Sequence, residues 1–204
     1  MAKIKLTKNE LKKQKDNLKR FTRYLPTLEL KKRQLLQEIN LIQKTHDRLQ
    51  AEIESVDKEV YQWVDVFAED VDLQNIIKVK EVKKEQSNIA GIDIPIFKEV
   101  IFEDIDYDFL HTPLWIDKGI TVSIEQIKRK AELQIIEKQL DILREELRIT
   151  IQRIKLFEEV KIPEARENIR IIQIFLGDQQ TAAVVRGKIA KAKIEKKKQR
   201  VNPV

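Results

Sequence analysis

The chain has 204 residues, of which 36% are charged and only 6% aromatic, and it contains four glycines and no cysteine. This composition is typical of long solvated helices rather than of a compact core, and the lack of cysteine excludes disulfides and thiolate metal sites. The amino-terminal residues lack the apolar run of a secretion signal and no window approaches 18 uncharged apolar residues, so we expect a protein of the reducing cytoplasm without a membrane span.

The net charge of +6 is distributed unevenly along the chain. Residues 1–45 contain 13 Lys and Arg against 4 Asp and Glu, and residues 186–204 contain 8 against 1. The stretch between them therefore carries a net negative charge. A field with this asymmetry steers the binding of an acidic partner, and its effect weakens with salt.

The first predicted element is a helix that begins after Thr7 and runs to about residue 69. Thr7 and Glu10 have the spacing of a capping box, in which the hydroxyl accepts from the third amide of the helix. Pro26 lies inside the run and is expected to kink the helix. Apolar residues recur at heptad spacing, which is typical of a coiled coil. The expected seam contains Leu18, Leu28, Leu35, Ile39, Ile42, Leu49 and Ile53.

The middle of the chain, residues 70–121, has a different pattern. Residues 77–80 alternate apolar and charged side chains, residues 87–91 are rich in turn formers, and residues 100–102 are β-prone. These features predict a short β-hairpin, with Pro95 on an edge strand. An isolated hairpin is marginal in water, so it should pack on the coiled coil or on a partner. The candidate contact residues are Ile92, Ile94, Pro95, Ile96 and Phe97.

A second long helix is predicted in residues 122–204, beginning at a capping box formed by Ser123 and Gln126. Its seam shifts register near Pro163, which we interpret as a stutter, and then resumes. The first part of this seam contains Leu133, Ile136, Leu140, Leu143 and Leu147. The sequence thus predicts a mostly α fold, a long antiparallel two-helix coiled coil with a short β-hairpin in the middle, built from residues 1–69, 70–121 and 122–204.

Antiparallel pairing would bring both basic ends of the chain to one tip of a rod. Long solvated Lys and Arg side chains at this tip would face acidic surfaces of a partner, in exposed ion pairs that contribute only about 0–1 kcal/mol each. The candidate tip residues are Lys3, Lys5, Lys8, Lys12, Lys13, Arg186, Lys188, Lys191, Lys193, Lys196, Lys197 and Lys198.

Candidate chemistry is sparse in this sequence. His46 falls on a seam position, and the other histidine, His111, lies in the middle region, so a metal pair is not expected. Asp104, Asp106 and Asp108 lack the glycine and the glutamate of a calcium loop. There is no phosphate-binding glycine loop, nucleophile elbow or HExxH motif. We therefore expect no catalytic residue, no cofactor and no metal site.

The residue pattern by itself leaves two other functions open. A coiled-coil scaffold or adaptor would have the same heptads. A basic helical hairpin that binds nucleic acid would have the same charged ends, although the chain shows no aromatic interleaving and no zinc spacing.

Three segments, in this order along the chain, carry a resemblance to a known family. The chain opens with residues 6–11 (LTKNEL) and 28–36 (LELKKRQLL). Residues 88–95 (NIAGIDIP) follow in the middle, and residues 154–163 (IKLFEEVKIP) lie in the second helix. Together they resemble the D subunit of the V-type and A-type rotary ATPases, in the divergent form found in some bacteria.

The resemblance implies a central-stalk rotor protein with no active site of its own. Such a protein transmits torque between an ATP-hydrolysing catalytic ring and an ion-translocating membrane ring. The implied partners are the catalytic and regulatory ring subunits, the small F subunit of the central stalk and the subunit that docks on the membrane ring, and not nucleic acid. The implied location is the cytoplasmic side of the membrane, as a peripheral part of the ATPase complex.

Overall fold

A computed structural model describes residues 4–61, 76–105, 113 and 115–201, with backbone alone for residue 61 and residues 198–201. The chain divides into two compact units. A terminal unit consists of Met1–Glu29 and Gln152–Val204, and a central unit consists of Leu30–Ile151. The expected fold class is confirmed, because long helices dominate and a two-stranded antiparallel hairpin lies in the middle of the chain.

The first helix, α1, spans Lys8–Tyr61 and continues through Pro26. The Thr7 half of the predicted capping box forms, since the Glu10 amide donates to Thr7 Oγ1 at 3.2 Å. The other half does not, because the Glu10 carboxylate accepts from Gln14 Nε2 at 2.9 Å while the Thr7 amide donates to the Lys5 carbonyl. The predicted continuation over residues 62–69 lies outside the described residues.

The hairpin consists of β1, Val79–Ile89, and β2, Ile92–Phe102, paired antiparallel. Ala90 and Gly91 connect the strands with φ angles of 52° and 80°, and positive φ at both central residues is the requirement of a type I′ turn. Asn88 stabilises the turn by accepting from the Gly91 amide and donating to Asp93 Oδ1. Most of the irregular link predicted for residues 104–115 lies outside the described residues.

The core of the central unit is formed by α1, β2 and a second helix, α2, which spans Ile116–Lys155. Lys31 bonds Glu146 at 2.8 Å, and Gln126 donates to the Ile53 carbonyl at 3.4 Å, so the two helices run antiparallel. The hairpin packs on this helix pair. The sequence predicts that it packs either on the coiled coil or on a partner protein. The buried apolar residues of this core are Leu35, Ile39, Leu49, Ile53, Ile94, Ile136, Leu140 and Leu143.

The start of α2 corrects the sequence-based prediction. The helix begins at Ile116, so Ser123 lies in its interior and is not a cap. The Ile116 amide donates to the Pro113 carbonyl at 3.1 Å. Ile116 and Ile120 are 3% and 6% exposed, so burial of apolar side chains extends the helix past the local capping signal.

A π turn of six residues, Leu156–Lys161, joins α2 to the last helix, α3, which spans Ile162–Val201. The Ile162 amide donates to the Phe157 carbonyl, five residues back. Phe157, which stacks on Phe21, and the buried Ile162 are also five apart in sequence, where a heptad seam has steps of three or four. The predicted stutter is therefore a one-residue insertion absorbed by the π turn. Pro163 follows directly, and its ring would clash with a carbonyl four residues back in a regular α-helix.

In the terminal unit, α1 and the carboxy-terminal helix also pair antiparallel. Phe21 stacks on Phe157, and Gln14 and Asn17 face Ala165 and Asn168 across a cavity. The most deeply buried apolar side chains of this unit are Ile154 near the end of α2 and Ile162, Ala165 and Ile172 in α3.

Candidate functional site

The basic tip residues that the structure describes are all exposed. They are Lys5, Lys8, Lys12 and Lys13 on the amino-terminal side and Arg186, Lys188, Lys191, Lys193, Lys196 and Lys197 on the carboxy-terminal side. Lys3 and the side chain of Lys198 lie outside the described residues.

The two basic segments are offset along the terminal unit. Extending the antiparallel register of Phe21 on Phe157 places Ile4 near residue 174, by an estimate of about one residue on each helix per step. Every residue from 177 to 197 is exposed. Helix α3, which ends at Val201, thus continues past Ile4 for about 27 residues, or about 41 Å. The expectation that both basic ends lie side by side stays a prediction, and this exposed end of α3 lies beyond the described part of α1.

Apolar side chains also project from this unpaired end of α3, and the sequence-based prediction did not include them. Val184, Val185, Ile189 and Ile194 are 59%, 49%, 51% and 57% exposed. Large apolar residues on a strongly charged stretch of helix that buries no seam of its own indicate an intermolecular contact. That signal was available in the sequence, but the abundance of lysine hid it.

The hairpin residues predicted to contact a partner do not share one environment. Ile94 is only 2% exposed and belongs to the core of the central unit, whereas Ile96 is 40% exposed. Gln139 Nε2 donates to the Pro95 carbonyl at 2.5 Å, which ties β2 to α2. Ile92, Pro95 and Phe97 are half-buried. The structure thus separates residues that hold the hairpin on the helices from Ile96, which stays accessible.

A groove of about 320 Å³ runs between the hairpin and the helix pair of the central unit. Its lining is mainly apolar, and two of its residues, Leu41 and Ile96, are 57% and 40% exposed. Leu41 was not predicted as a contact because it lies off the heptad seam. The groove can therefore receive apolar side chains of another protein.

Two cross-strand ion pairs cover the hairpin surface. Lys83 Nζ lies 2.6 Å from Glu99 Oε1, and Lys98 pairs with Glu85. The hydrogen bond from Lys83 lowers the pKa of Glu99, and the hydrogen bond to Glu85 raises the pKa of Lys98. All four groups are solvent-exposed, so these pairs contribute little to stability and chiefly fix the pairing of the strands.

Further polar contacts join the helices of the central unit. Arg144 donates to Gln43 Oε1 at 2.7 Å, and Lys130 lies 3.8 Å from Asp57. His46, on its predicted seam position, lies 3.7 Å from Glu137 on α2. These contacts set the alignment of the two helices around the apolar core. None of the described helices is apolar over a stretch long enough to cross a bilayer.

These elements define a class of mostly α-helical proteins in which a helix pair carries an inserted two-stranded hairpin. A family model described as the D subunit of ATP synthase matches residues 10–192 of the chain. The chain belongs to this family.

Curated relatives are similar over nearly their whole length. The chain is 52% identical over 197 residues to the V-type ATP synthase D subunit of Borreliella burgdorferi, covering 97% of this chain and 98% of that protein. It is 36% identical over 202 residues to the V-type ATP synthase D subunit of Chlamydia caviae, covering 97% of both chains. It is 31% identical over 201 residues to that of Chlamydia trachomatis serovar L2, covering 97% and 99%.

Proposed function

We propose that this chain is the central-stalk rotor subunit of a V/A-type ATPase and transmits torque between the ATP-hydrolysing catalytic ring and the ion-translocating membrane ring. The observation that carries the proposal is the match to the V-type ATP synthase D subunit over nearly the whole length of both chains. The chain would take part in ATP-driven or ATP-forming ion transport without binding nucleotide or holding a catalytic residue itself.

The helix pair is suited to transmitting torque. Apolar seam residues such as Leu35 and Leu143, both 0% exposed, interlock between the helices of the central unit. Knobs-into-holes packing resists sliding and untwisting, because each knob is enclosed by residues of the facing helix. A twist applied to one helix is therefore passed to the other through the seam.

The exposed end of α3 is proposed to face the catalytic and regulatory ring subunits. It combines the basic side chains of residues 186–197 with exposed Val185 and Ile189. Exposed lysines form contacts of about 0–1 kcal/mol each, so no single angular position would dominate during rotation. The apolar side chains would supply the remaining contact with the inner surface of the ring.

The central unit is proposed to bind the small F subunit of the central stalk and the subunit that docks on the membrane ring. Leu41 and Ile96 line an accessible apolar groove there. Ile94, in contrast, is buried in the core of this unit and is not available to a partner. The assembly would lie on the cytoplasmic side of the membrane, with this chain as a peripheral part of it.

The proposal is tested with a purified ring of catalytic and regulatory subunits and the purified chain. ATP hydrolysis should rise when the chain and its small partner are added. A triple variant, with Lys188, Lys191 and Lys193 changed to Gln, should stimulate less, since it removes three positive charges from the exposed end of α3.

A matched control changes Lys44, Lys58 and Lys138 to Gln, which removes the same charge from positions of the central unit. This control should stimulate like the unchanged chain. Equal ATP turnover with and without the chain would contradict the rotor function, and equal loss in both triple variants would contradict the placement of the tip.

A further inference from the structure

A polar cavity interrupts the seam of the terminal unit. It has a volume of about 200 Å³ and lies between α1 and α3. Five of its seven lining residues carry polar or charged side chains, where a coiled-coil seam has apolar ones. The lining consists of Gln14, Asn17, Phe21, Lys161, Glu164, Ala165 and Asn168.

Asn168 is the buried polar member of this lining. It is only 9% exposed, and its side chain makes no hydrogen bond to the residues that the structure describes. Its amide is not one of the fully enclosed unpaired groups of the described residues, so it borders the space of the cavity, where water can satisfy its donors and its acceptor. The cavity has room for several water molecules at about 30 Å³ each, and a water needs two to four polar partners. The amides of Gln14 and Asn17 provide such partners on the opposite wall.

The π turn adjoins this cavity. Lys161, its last residue, also lines the cavity, and its Nζ lies 3.4 Å from Oε2 of Glu164, three residues further along the chain. Leu156 and Val160 in the turn are 45% and 47% exposed, so the turn contributes little apolar burial. Hydrogen bonds of a π turn are locally less favourable than those of an α-helix, and Pro163 removes one more donor.

We propose that the cavity holds ordered water and that, with the π turn, it forms a compliant joint in the helix pair, residues 156–168. This segment opens more readily than the seam on either side, because its buried contacts are polar and hydrated while the flanking ones are apolar. The inference concerns the chain itself and stands independently of the rotor function. In a twisted helix pair, deformation would concentrate at this joint.

Hydrogen–deuterium exchange on the full chain, resolved by peptide, tests the joint. Amides of residues 157–168 should exchange at least about tenfold faster than amides of residues 133–147, which flank apolar core residues. Equal protection of the two segments would overturn the proposal without any substitution being made.

A variant tests the cause. Asn168→Leu replaces the buried amide with an apolar side chain that can fill part of the cavity, and exchange in residues 157–168 should slow about fivefold. His46→Leu makes a similar polar-to-apolar change on the seam of the central unit, and it should leave exchange in residues 157–168 unchanged. Circular dichroism shows whether each variant retains its helices.

If Asn168→Leu folds but exchange in residues 157–168 stays the same, the hydrated cavity is not the source of the local opening and the proposal fails. If both variants slow exchange in this segment equally, the effect is a general gain in stability, which also contradicts a local joint.

Discussion

Phe21 and Phe157 stack across the helix pair of the terminal unit, with ring centroids 5.3 Å apart and planes inclined by 26°. Phe157 is the second residue of the π turn, and its carbonyl accepts the five-residue hydrogen bond from Ile162. The aromatic contact therefore fixes the register of the two helices at the position where the heptad spacing of the second helix gains one residue. Phe21 also lines the polar cavity that interrupts the seam.

Replacing Phe157 with Ala should destabilise the terminal unit by about 2 kcal/mol, because a half-buried aromatic side chain and its stack are lost. Phe21→Ala should have a similar effect. In the double variant, the two losses should overlap by about 1 kcal/mol, the value expected for an aromatic pair. Urea unfolding followed by circular dichroism gives the coupling energy, and strictly additive losses would show that the stack contributes nothing of its own.

The turn of the hairpin offers a stabilising substitution. Ala90 has a φ of 52°, which costs an alanine roughly 1 kcal/mol relative to glycine or asparagine. Ala90→Asn creates the Asn-Gly pair that type I′ turns prefer and should raise the thermal midpoint. Gly91→Ala, at φ 80° with no atom within 4 Å of the added methyl, should lower it through backbone strain alone. If the two changes shifted the midpoint in the same direction, the assigned turn conformation would be wrong.

Two isoleucines of β2 should respond oppositely to the same change. Ile94→Ser places a hydroxyl in the core of the central unit and should cost about 3 kcal/mol. Ile96→Ser should change stability by less than about 0.5 kcal/mol but weaken binding of a partner in the groove beside Leu41. Thermal unfolding and a pull-down with the small stalk protein separate the two effects. Loss of stability in both variants would show that Ile96 is part of the core.

Acid should weaken the hairpin through Glu99. The hydrogen bond from Lys83 lowers the pKa of Glu99 below its usual value of 4.5. A carboxyl group whose pKa is lower in the folded state stabilises the fold above its unfolded pKa, and this contribution is lost as the pH falls through the folded pKa. In Glu99→Gln, the decrease in thermal midpoint from about pH 5 to about pH 3 should be smaller. Glu103→Gln, at an exposed position just after β2, serves as the control and should keep the full decrease.

Removing residues 187–204 should leave the rest of the fold intact. These residues include only exposed side chains where the structure describes them, so the urea midpoint should stay within experimental error of that of the full chain. The helical signal should fall only in proportion to the residues removed. ATPase stimulation should decrease, and a lower urea midpoint would instead show that the end of α3 packs within the chain.

Heptad periodicity was enough to identify the long helices from sequence, since apolar residues at steps of three and four specify which face of a helix becomes buried. The turn was predicted only within residues 87–91, from turn formers such as Asn88 and Gly91, and the positive φ of Ala90 was not. The start of α2 was not predicted either. Ser123 offers a local cap, but burial of Ile116 and Ile120 extends the helix beyond it, and burial depends on neighbours far away in the chain.

The sequence by itself determined the helix–hairpin–helix order and the basic ends, because these follow from local spacing and composition, and its motifs carried the resemblance to the family. Only the tertiary structure decided that Ile94 is buried while Ile96 is accessible, that α3 extends past the start of α1, and that the register shift is a π turn beside a polar cavity. Each of these depends on how far one helix is displaced along another. That displacement is set by the sum of many long-range contacts, and no single segment of the sequence contains it.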